Sequence, residues 1–127
     1  MAKRYRATSL IIKNGNILLV RDKHRHDYSM PGGGFKANES TIQAGIREVF
    51  EELRLRTVLA ERLRYCDFEG QRAKHKVCLL KVEGTPHIDS KELDGYIWWD
   101  MKSSLPVQGH VRYILKKYKD KLGGQVR

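Results

Sequence analysis

Three consecutive glycines, Gly32 to Gly34, stand shortly before the most regular helical pattern in the chain. The surrounding segment, Met30 to Phe35, also contains a proline, and this composition predicts a loop without regular structure. A helix is predicted from Ser40 to Leu53, because Ser40 and Gln43 have the spacing of a capping box. Any fold of this chain must therefore place a glycine-rich loop directly ahead of a helix.

The predicted helix has two unlike faces. At about 100° per residue its bulky apolar residues fall in one stripe, and these are Ile42, Ile46, Val49, Phe50 and Leu53. Glu48, Glu51 and Glu52 fall on the opposite side. We expect the apolar stripe to face the core and the three glutamates to face away from it.

Apolar segments rich in β-formers predict strands elsewhere. The segments Ala7 to Ile12 and Ile17 to Val20 flank Asn14 and Gly15, a strong hairpin-turn signal. Further strands are predicted over residues 57–68, 76–82 and 96–99, and a closing amphipathic helix over residues 111–122. Strands combined with two separated helices indicate one α/β domain over residues 1–127, a sandwich with a mixed sheet. Residues 123–127 are expected to form a frayed tail.

Net charge and composition limit the classes of partner and the location expected for the protein. Among 127 residues, 25 Lys and Arg outnumber 15 Asp and Glu, a net charge of +10 that favours an anionic partner or serves solubility. No apolar run approaches the roughly 20 residues of a membrane span, and no signal-peptide pattern follows the N-terminus. Cys66 and Cys78 are expected to be free thiols, which favours a reducing, cytoplasmic location. Both a monomer and a homodimer remain open.

Three carboxylates share one face of the predicted helix. Glu48, Glu51 and Glu52 have spacings of three and four residues, at which like charges destabilise an isolated helix. Hard cations such as Mg²⁺ bind carboxylate and carbonyl oxygens, so this face and the glycine loop are a candidate metal site. A solvated acidic helix face is the simpler alternative.

The wider pattern resembles a known family signature. Gly33, Glu39 and the segment Arg47 to Leu55 follow the spacing of the Nudix box, G-x5-E-x7-R-E-U-x-E-E-x-G-U, with U a bulky aliphatic residue. Arg54 stands where the family has glycine. The resemblance implies an α/β/α sandwich in which the box forms a catalytic loop-helix-loop. It also implies hydrolysis, with Mg²⁺ or Mn²⁺, of a nucleoside diphosphate linked to some moiety X or of a related pyrophosphate.

The resemblance also implies roles for individual residues. Glu48 and Glu52 would bind the metal, and Glu51 would be either a metal ligand or the general base that deprotonates the attacking water. The Gly32 carbonyl would bind the same metal, and Arg47 would orient the glutamates through salt bridges.

The remaining box residues have supporting roles or depart from the family. Gly33 and Glu39 would support the loop behind the metal ligands. Arg54 would adopt a left-handed conformation at a cost on the order of 1 kcal/mol, or the helix would end differently. Many members have a glutamate at the position of Lys36, and in some of them it helps bind an additional metal. Lys36 could not bind a metal but could contact a phosphate.

Outside the box, short segments suggest a substrate class. Residues 31–34, 69–76 and 106–108 are similar to segments of diphosphoinositol polyphosphate phosphohydrolases, which also cleave diadenosine polyphosphates. Arg21, Lys74 and His75 are accordingly candidate substrate contacts, together with Lys36; His24 and His26 are further candidate phosphate contacts.

Two alternatives stay open. One is a nucleoside triphosphate pyrophosphatase that removes oxidised nucleotides. Its base pocket would be walled by Tyr96, Trp98 and Trp99, with Asp100 or Gln108 reading the base. The other is a basic, non-catalytic Nudix-fold module that binds RNA or nucleotides.

Overall fold

The computed structural model describes residues 3–126 and contains eight strands, two α-helices and one short 3₁₀-helix. The strands are β1 (Arg4–Leu10), β2 (Ile12–Lys13), β3 (Asn16–Asp22), β4 (Gly32–Gly33), β5 (Arg56–Arg62), β6 (Phe68–Glu69), β7 (Ala73–Glu83) and β8 (Leu93–Trp99). The helices are α1 (Thr41–Leu53) and α2 (Gly109–Val126), and the 3₁₀-helix is Arg64–Cys66.

The strands form two sheets. The larger has the order β4-β1-β7-β5, with β6 also pairing with β7, and the smaller has the order β2-β3-β8. Strand β1 runs parallel to β7, whereas β4, β5 and β6 pair antiparallel, so the larger sheet is mixed. This confirms the predicted α/β class with a mixed sheet.

Alternate strand residues point to two separate cores. Ile17 and Leu19 pack in one core with Ile114 of α2, while Leu18 and Val20 pack in the other with Val49 of α1. Because successive side chains of a strand point to opposite faces, α1 and α2 cover opposite sides of the sheets. The layers are helix, sheet and helix.

Short-range sequence signals predicted the start of α1 and the β2–β3 hairpin correctly. Ser40 accepts from the backbone N–H of Gln43, and the Gln43 side chain accepts from the backbone N–H of Ser40, which confirms the capping box. Asn14 and Gly15 have φ values of 54° and 79°, as the two central residues of a type I′ hairpin turn require. The hairpin between β2 and β3 follows from that turn.

Four predictions differ from the structure. Gly32 and Gly33 are not irregular loop residues, because they pair with β1 as the short strand β4. The segment 57–68 is not one strand, since the 3₁₀-helix interrupts it before β6. Phe50 is 44% exposed instead of facing the core, and the Arg54 guanidinium lies over its ring. Helix α2 extends beyond residue 122 to Val126; the fraying of residues 123–127 stays a prediction, and residue 127 lies outside the described residues.

Among the helices that the structure describes, none combines the length and the apolar character needed to cross a membrane.

Candidate active site

A cleft of about 660 Å³ opens where β4, α1 and the ends of β1, β3 and β8 meet. Its acidic side chains are Asp22, Glu48, Glu52 and Glu92, its basic ones are Arg6, Lys23, His24 and Lys91, and its floor includes Gly32, Gly33 and Gly34. Carboxylates and cations therefore share one cavity, as a site for a metal and a phosphate requires.

The glycine strand lies against one of the glutamates. A Cβ added at Gly33 would stand 2.4 Å from Glu48 Oε2 and 2.5 Å from its Cδ, far inside van der Waals contact. A Cβ at Gly32 would stand 2.2 Å from the Ala7 carbonyl oxygen of β1. Only glycine at residue 32 lets β4 pair this closely with β1, and only glycine at residue 33 leaves the Glu48 carboxylate in its present position.

Glu52 is the most unusual carboxylate of the cleft. The residue is 9% exposed, and its Oε1 has no hydrogen-bond partner within the described chain. Burial raises the pKa of Glu52 to about 8, and Glu48 adds to the rise, while Arg6 opposes it. A buried carboxylate oxygen without a partner is the kind of atom that a cation satisfies. The prediction that Glu52 faces away from the core is thus wrong, because α1 lies deep enough to bury this position.

Arg47 organises the loop and the helix face. Its Nε donates to Glu39 Oε2 at 2.6 Å and its Nη2 donates to Glu39 Oε1 and the Gly34 carbonyl, both at 2.9 Å. Its Nη1 donates to Glu48 and to Glu51, both at 2.8 Å. Glu39 also accepts from the backbone N–H of Lys36 at 2.8 Å. Arg47 is the main reason that the pKa of Glu39 falls to about 2, so this carboxylate stays ionised.

Glu51 does not line the cleft. Its carboxylate is 50% exposed and is held by the same Arg47 nitrogen that binds Glu48. Between residues 3 and 126, no three His, Cys, Asp or Glu side chains form a ready-made metal cluster. The structure therefore brings Glu48 and Glu52 together at the cleft and leaves Glu51 beside them, on Arg47.

Sequence reasoning missed Arg6. Its Nη2 donates to the Met30 carbonyl at 2.9 Å, its Nε is buried without a partner in the described chain, and burial lowers its pKa against the opposing effect of Glu52. The only signal in the sequence is an arginine directly before the apolar segment that begins at Ala7. Asp22 and Glu92 were missed as well, and they meet only because β3 pairs with β8.

The four candidate substrate contacts lie outside the residues that line the cleft. Arg21 donates to Asp94 at 2.9 Å, and the Lys36 side chain is exposed beyond the glycine strand. Lys74 lies over the Tyr5 ring, with its ammonium 5.3 Å from the ring centre. His75 is buried, shares a 2.7 Å hydrogen bond with Thr8, and has its pKa lowered to about 4, mainly by burial. Their contact with substrate stays a prediction, whereas His24 does line the cleft.

Arg54 caps the end of helix α1, at the position where the family pattern has glycine. Arg54 has φ 58° and ψ 27°, the left-handed conformation that the family pattern implies. Its guanidinium pairs with Asp89, in a loop whose backbone N–H groups donate to the Glu52 and Leu53 carbonyls. Side-chain contacts therefore offset the cost of a left-handed arginine.

The aromatic residues near the end of β8, Tyr96, Trp98 and Trp99, do not line the cleft. Trp99 is buried and donates to the Ser103 carbonyl at 2.9 Å, and Trp98 packs against the core under α1. Asp100 caps its own turn by accepting from the N–H groups of Lys102 and Ser103.

Gln108 lies elsewhere, in a recess of about 490 Å³ that also contains Phe68, His75 and His110. The His75 and His110 rings stack there with centroids 4.2 Å apart.

Comparison with known proteins agrees with the fold. The model of the NUDIX domain matches residues 3–117. A structure assigned to the Nudix hydrolase family from Chromobacterium violaceum is 27% identical, with a TM-score of 0.78 over 94% of this chain and 79% of that one. The MutT NUDIX hydrolase from Burkholderia pseudomallei is 20% identical, with a TM-score of 0.77 over 92% and 98%. An ADP-ribose pyrophosphatase from Streptococcus suis is 18% identical, with a TM-score of 0.71 over 91% of each chain. No curated protein sequence matches this chain.

The match to the NUDIX domain model indicates a hydrolase that acts on acid anhydrides in phosphorus-containing compounds. The chain belongs to the Nudix family.

Proposed function

We propose that the chain is a divalent-metal-dependent pyrophosphohydrolase of a phosphorylated small molecule, with its reaction centre at Glu48 and Glu52. The observation that carries the proposal is the unpartnered, buried Oε1 of Glu52, next to a Glu48 carboxylate that only a glycine at residue 33 accommodates. Both features are costly for folding alone, and a bound cation gives each of them a use.

The donor set fits Mg²⁺ or Mn²⁺. Glu48, Glu52 and the Gly32 carbonyl would hold the ion, because hard cations take oxygen ligands of this kind. When bound, such an ion neutralises pyrophosphate charge and makes water a better nucleophile.

Side chains next to the metal ligands would position Glu48 and accept the proton from water. Arg47 fixes Glu48 in position through a 2.8 Å hydrogen bond, and Glu39 fixes Arg47 from behind. Glu51 is the proposed general base, since it shares an Arg47 nitrogen with Glu48 and is solvent-exposed enough to accept a proton from water. Its action requires the carboxylate to leave Arg47.

Phosphate groups would meet the basic side chains of the same cleft. Lys23, His24 and Lys91 line it and are exposed, and Arg6 lies deeper. Fixed positive charges of this kind orient a pyrophosphate and stabilise charge that develops on a leaving phosphate. A highly anionic substrate, such as a diphosphoinositol or diadenosine polyphosphate, is the class we favour, and the net charge of +10 supports it.

A nucleoside triphosphate is the second candidate substrate. The recess that contains Phe68 and Gln108 combines an aromatic wall with an amide, the groups that hold and read a base. Trp99 does not support this alternative because it is buried, and the partly buried Trp98 lines a different recess.

The proposal is tested by a hydrolysis panel with products identified by mass, run with Mg²⁺ and with EDTA. The panel contains a diphosphoinositol polyphosphate, diadenosine polyphosphates, ADP-ribose, ordinary triphosphates and 8-oxo-dGTP. We expect Mg²⁺-dependent cleavage of a pyrophosphate bond in the polyphosphates. A preference for triphosphates would move the substrate assignment to the second candidate, and no turnover with metal bound would favour a non-catalytic binding module.

A cytoplasmic location is part of the proposal. Cys66 and Cys78 are both buried free thiols, and burial raises the pKa of each to about 11. Such thiols are unreactive and are typical of proteins from a reducing compartment.

A further inference from the structure

A second groove, of about 750 Å³, shares Gly34 with the catalytic cleft but contains none of its glutamates. We call it the basic groove. Five cationic side chains line it: Lys3, Arg4, Arg62, Arg64 and Lys76. Tyr5 and Phe35 supply aromatic surface, and Glu39 is its one carboxylate among the described residues. The proposed hydrolysis uses none of these cations.

The basic groove exists because α1 leaves part of the larger sheet uncovered. The helix begins at Thr41, at the rim of the groove. Before that point, Tyr5 of β1 pairs in parallel register with Lys74 of β7. Tyr5 is 52% exposed, with the ammonium groups of Lys76 and Lys74 at 4.7 Å and 5.3 Å from its ring centre. An exposed aromatic ring with two lysines over it contributes nothing to the core.

Most of the positive charge in the groove is available to a ligand. Arg62 is bound to Asp67 at 2.7 Å and Lys3 to Glu69 at 3.1 Å, so these two are partly neutralised. Arg4 and Arg64 are exposed, and Lys76 contacts only the Tyr5 ring face among the ionic and cation–π contacts of residues 3–126. The single opposing carboxylate, that of Glu39, is already held by Arg47, as described above.

We propose that the basic groove binds single-stranded nucleic acid, with phosphates on Arg4, Arg64 and Lys76 and with a base stacked on Tyr5 in place of the Lys76 ammonium, which moves from the ring to a phosphate. Extended ligands that alternate phosphates with flat π-faces are held by cations interleaved with aromatic rings. A simple polyanion needs the cations but gains nothing from an exposed tyrosine. The inference goes beyond the proposed hydrolysis and does not depend on it, because the groove lies outside the glutamate cleft.

The test is fluorescence anisotropy with a 3′-labelled, 5′-hydroxyl RNA strand of about ten nucleotides, a length within the usual site sizes. EDTA is present, and the strand has no pyrophosphate, so hydrolysis cannot contribute to the signal. We expect salt-sensitive binding, weakened about 5- to 160-fold by Tyr5→Ala, the range for loss of one stacked base. Arg64→Ala should reduce the slope of log affinity against log salt by about 0.7.

The matched controls are Tyr113→Ala and Lys117→Ala. Tyr113 is 37% exposed and has the Lys117 ammonium 5.5 Å from its ring centre, a similar lysine–tyrosine pair on α2. Thermal unfolding checks that each variant is folded, and both controls should bind like the wild type.

Two results would overturn the proposal: equal affinity of Tyr5→Ala and wild type for the strand, or inorganic polyphosphate binding as tightly as RNA and equally to both proteins. Neither result bears on the hydrolase, and a failed hydrolysis panel leaves this binding experiment interpretable.

Discussion

Replacing Gly33 with alanine should lower the catalytic rate while leaving the stability of the fold nearly unchanged. The new Cβ would meet Glu48 Oε2 at 2.4 Å, Cδ at 2.5 Å and Oε1 at 2.9 Å. Gly33 does not have a positive φ, so the alanine itself fits the backbone. The collision is with the end of a flexible side chain, which moves more easily than the backbone. We therefore expect the free energy of unfolding to change by no more than about 1 kcal/mol.

The catalytic rate of Gly33→Ala should fall instead. Glu48 would move by about 1 Å to regain normal contact, and a misplacement of that size costs on the order of 100-fold in rate. It would also strain the 2.8 Å hydrogen bond from Arg47. The assay compares Mn²⁺ affinity, turnover and thermal unfolding of Gly33→Ala. Gly34→Ala is the matched control, because a Cβ at Gly34 meets nothing within 4 Å. Equal turnover of the two variants would refute the reasoning.

Three further predictions concern the helix and its ends. Glu39→Gln should lower turnover about 10- to 100-fold at little cost in stability, because Arg47 loses its ion pair with the Glu39 carboxylate. Steady-state kinetics measure this loss, and an unchanged rate would contradict the prediction. Arg54→Gly should leave turnover intact and change unfolding free energy by less than about 1 kcal/mol, since relief of the left-handed conformation offsets loss of the partly exposed Asp89 pair. A tenfold loss of turnover would count against it. Metal-free protein should lose stability as pH rises, because the pKa of Glu52 is raised from 4.5 to about 8 and the protonated form is favoured on folding. The loss should be on the order of 3–5 kcal/mol between about pH 5 and pH 8, measured by denaturant unfolding in EDTA. A Glu52→Gln variant should flatten this profile, and an equally steep profile in that variant would assign the effect to other groups.

The parts of the fold that sequence reasoning predicted well are those set by near neighbours in the chain. The capping box of α1 involves residues three apart, and the hairpin turn involves two adjacent residues, Asn14 and Gly15. Arg54 in a left-handed conformation also follows from its position just after α1. These features need no knowledge of how the strands are ordered.

The features that were missed depend on contacts between distant segments. Glu52 becomes buried only when Arg6 of β1 and Glu92 near β8 close around it, and helical periodicity alone placed it outside. Phe50 was assigned to the core on the same periodicity, yet it supports the Arg54 guanidinium at the surface. The basic groove likewise arises from parallel pairing of β1 with β7, which joins residues about seventy positions apart.

The central claim is that Glu52 and its neighbours form a metal-dependent hydrolytic centre. The most direct test measures Mn²⁺ binding and Mg²⁺-dependent turnover of Glu51→Gln and Glu52→Gln, on whichever substrate the hydrolysis panel identifies. Glu61→Gln, an exposed glutamate on β5, is the control. We predict weaker Mn²⁺ binding in Glu52→Gln and at least a roughly 100-fold loss of turnover in both site variants, the scale of losing a positioned acid–base group. Wild-type turnover in both, with metal bound, would contradict the account.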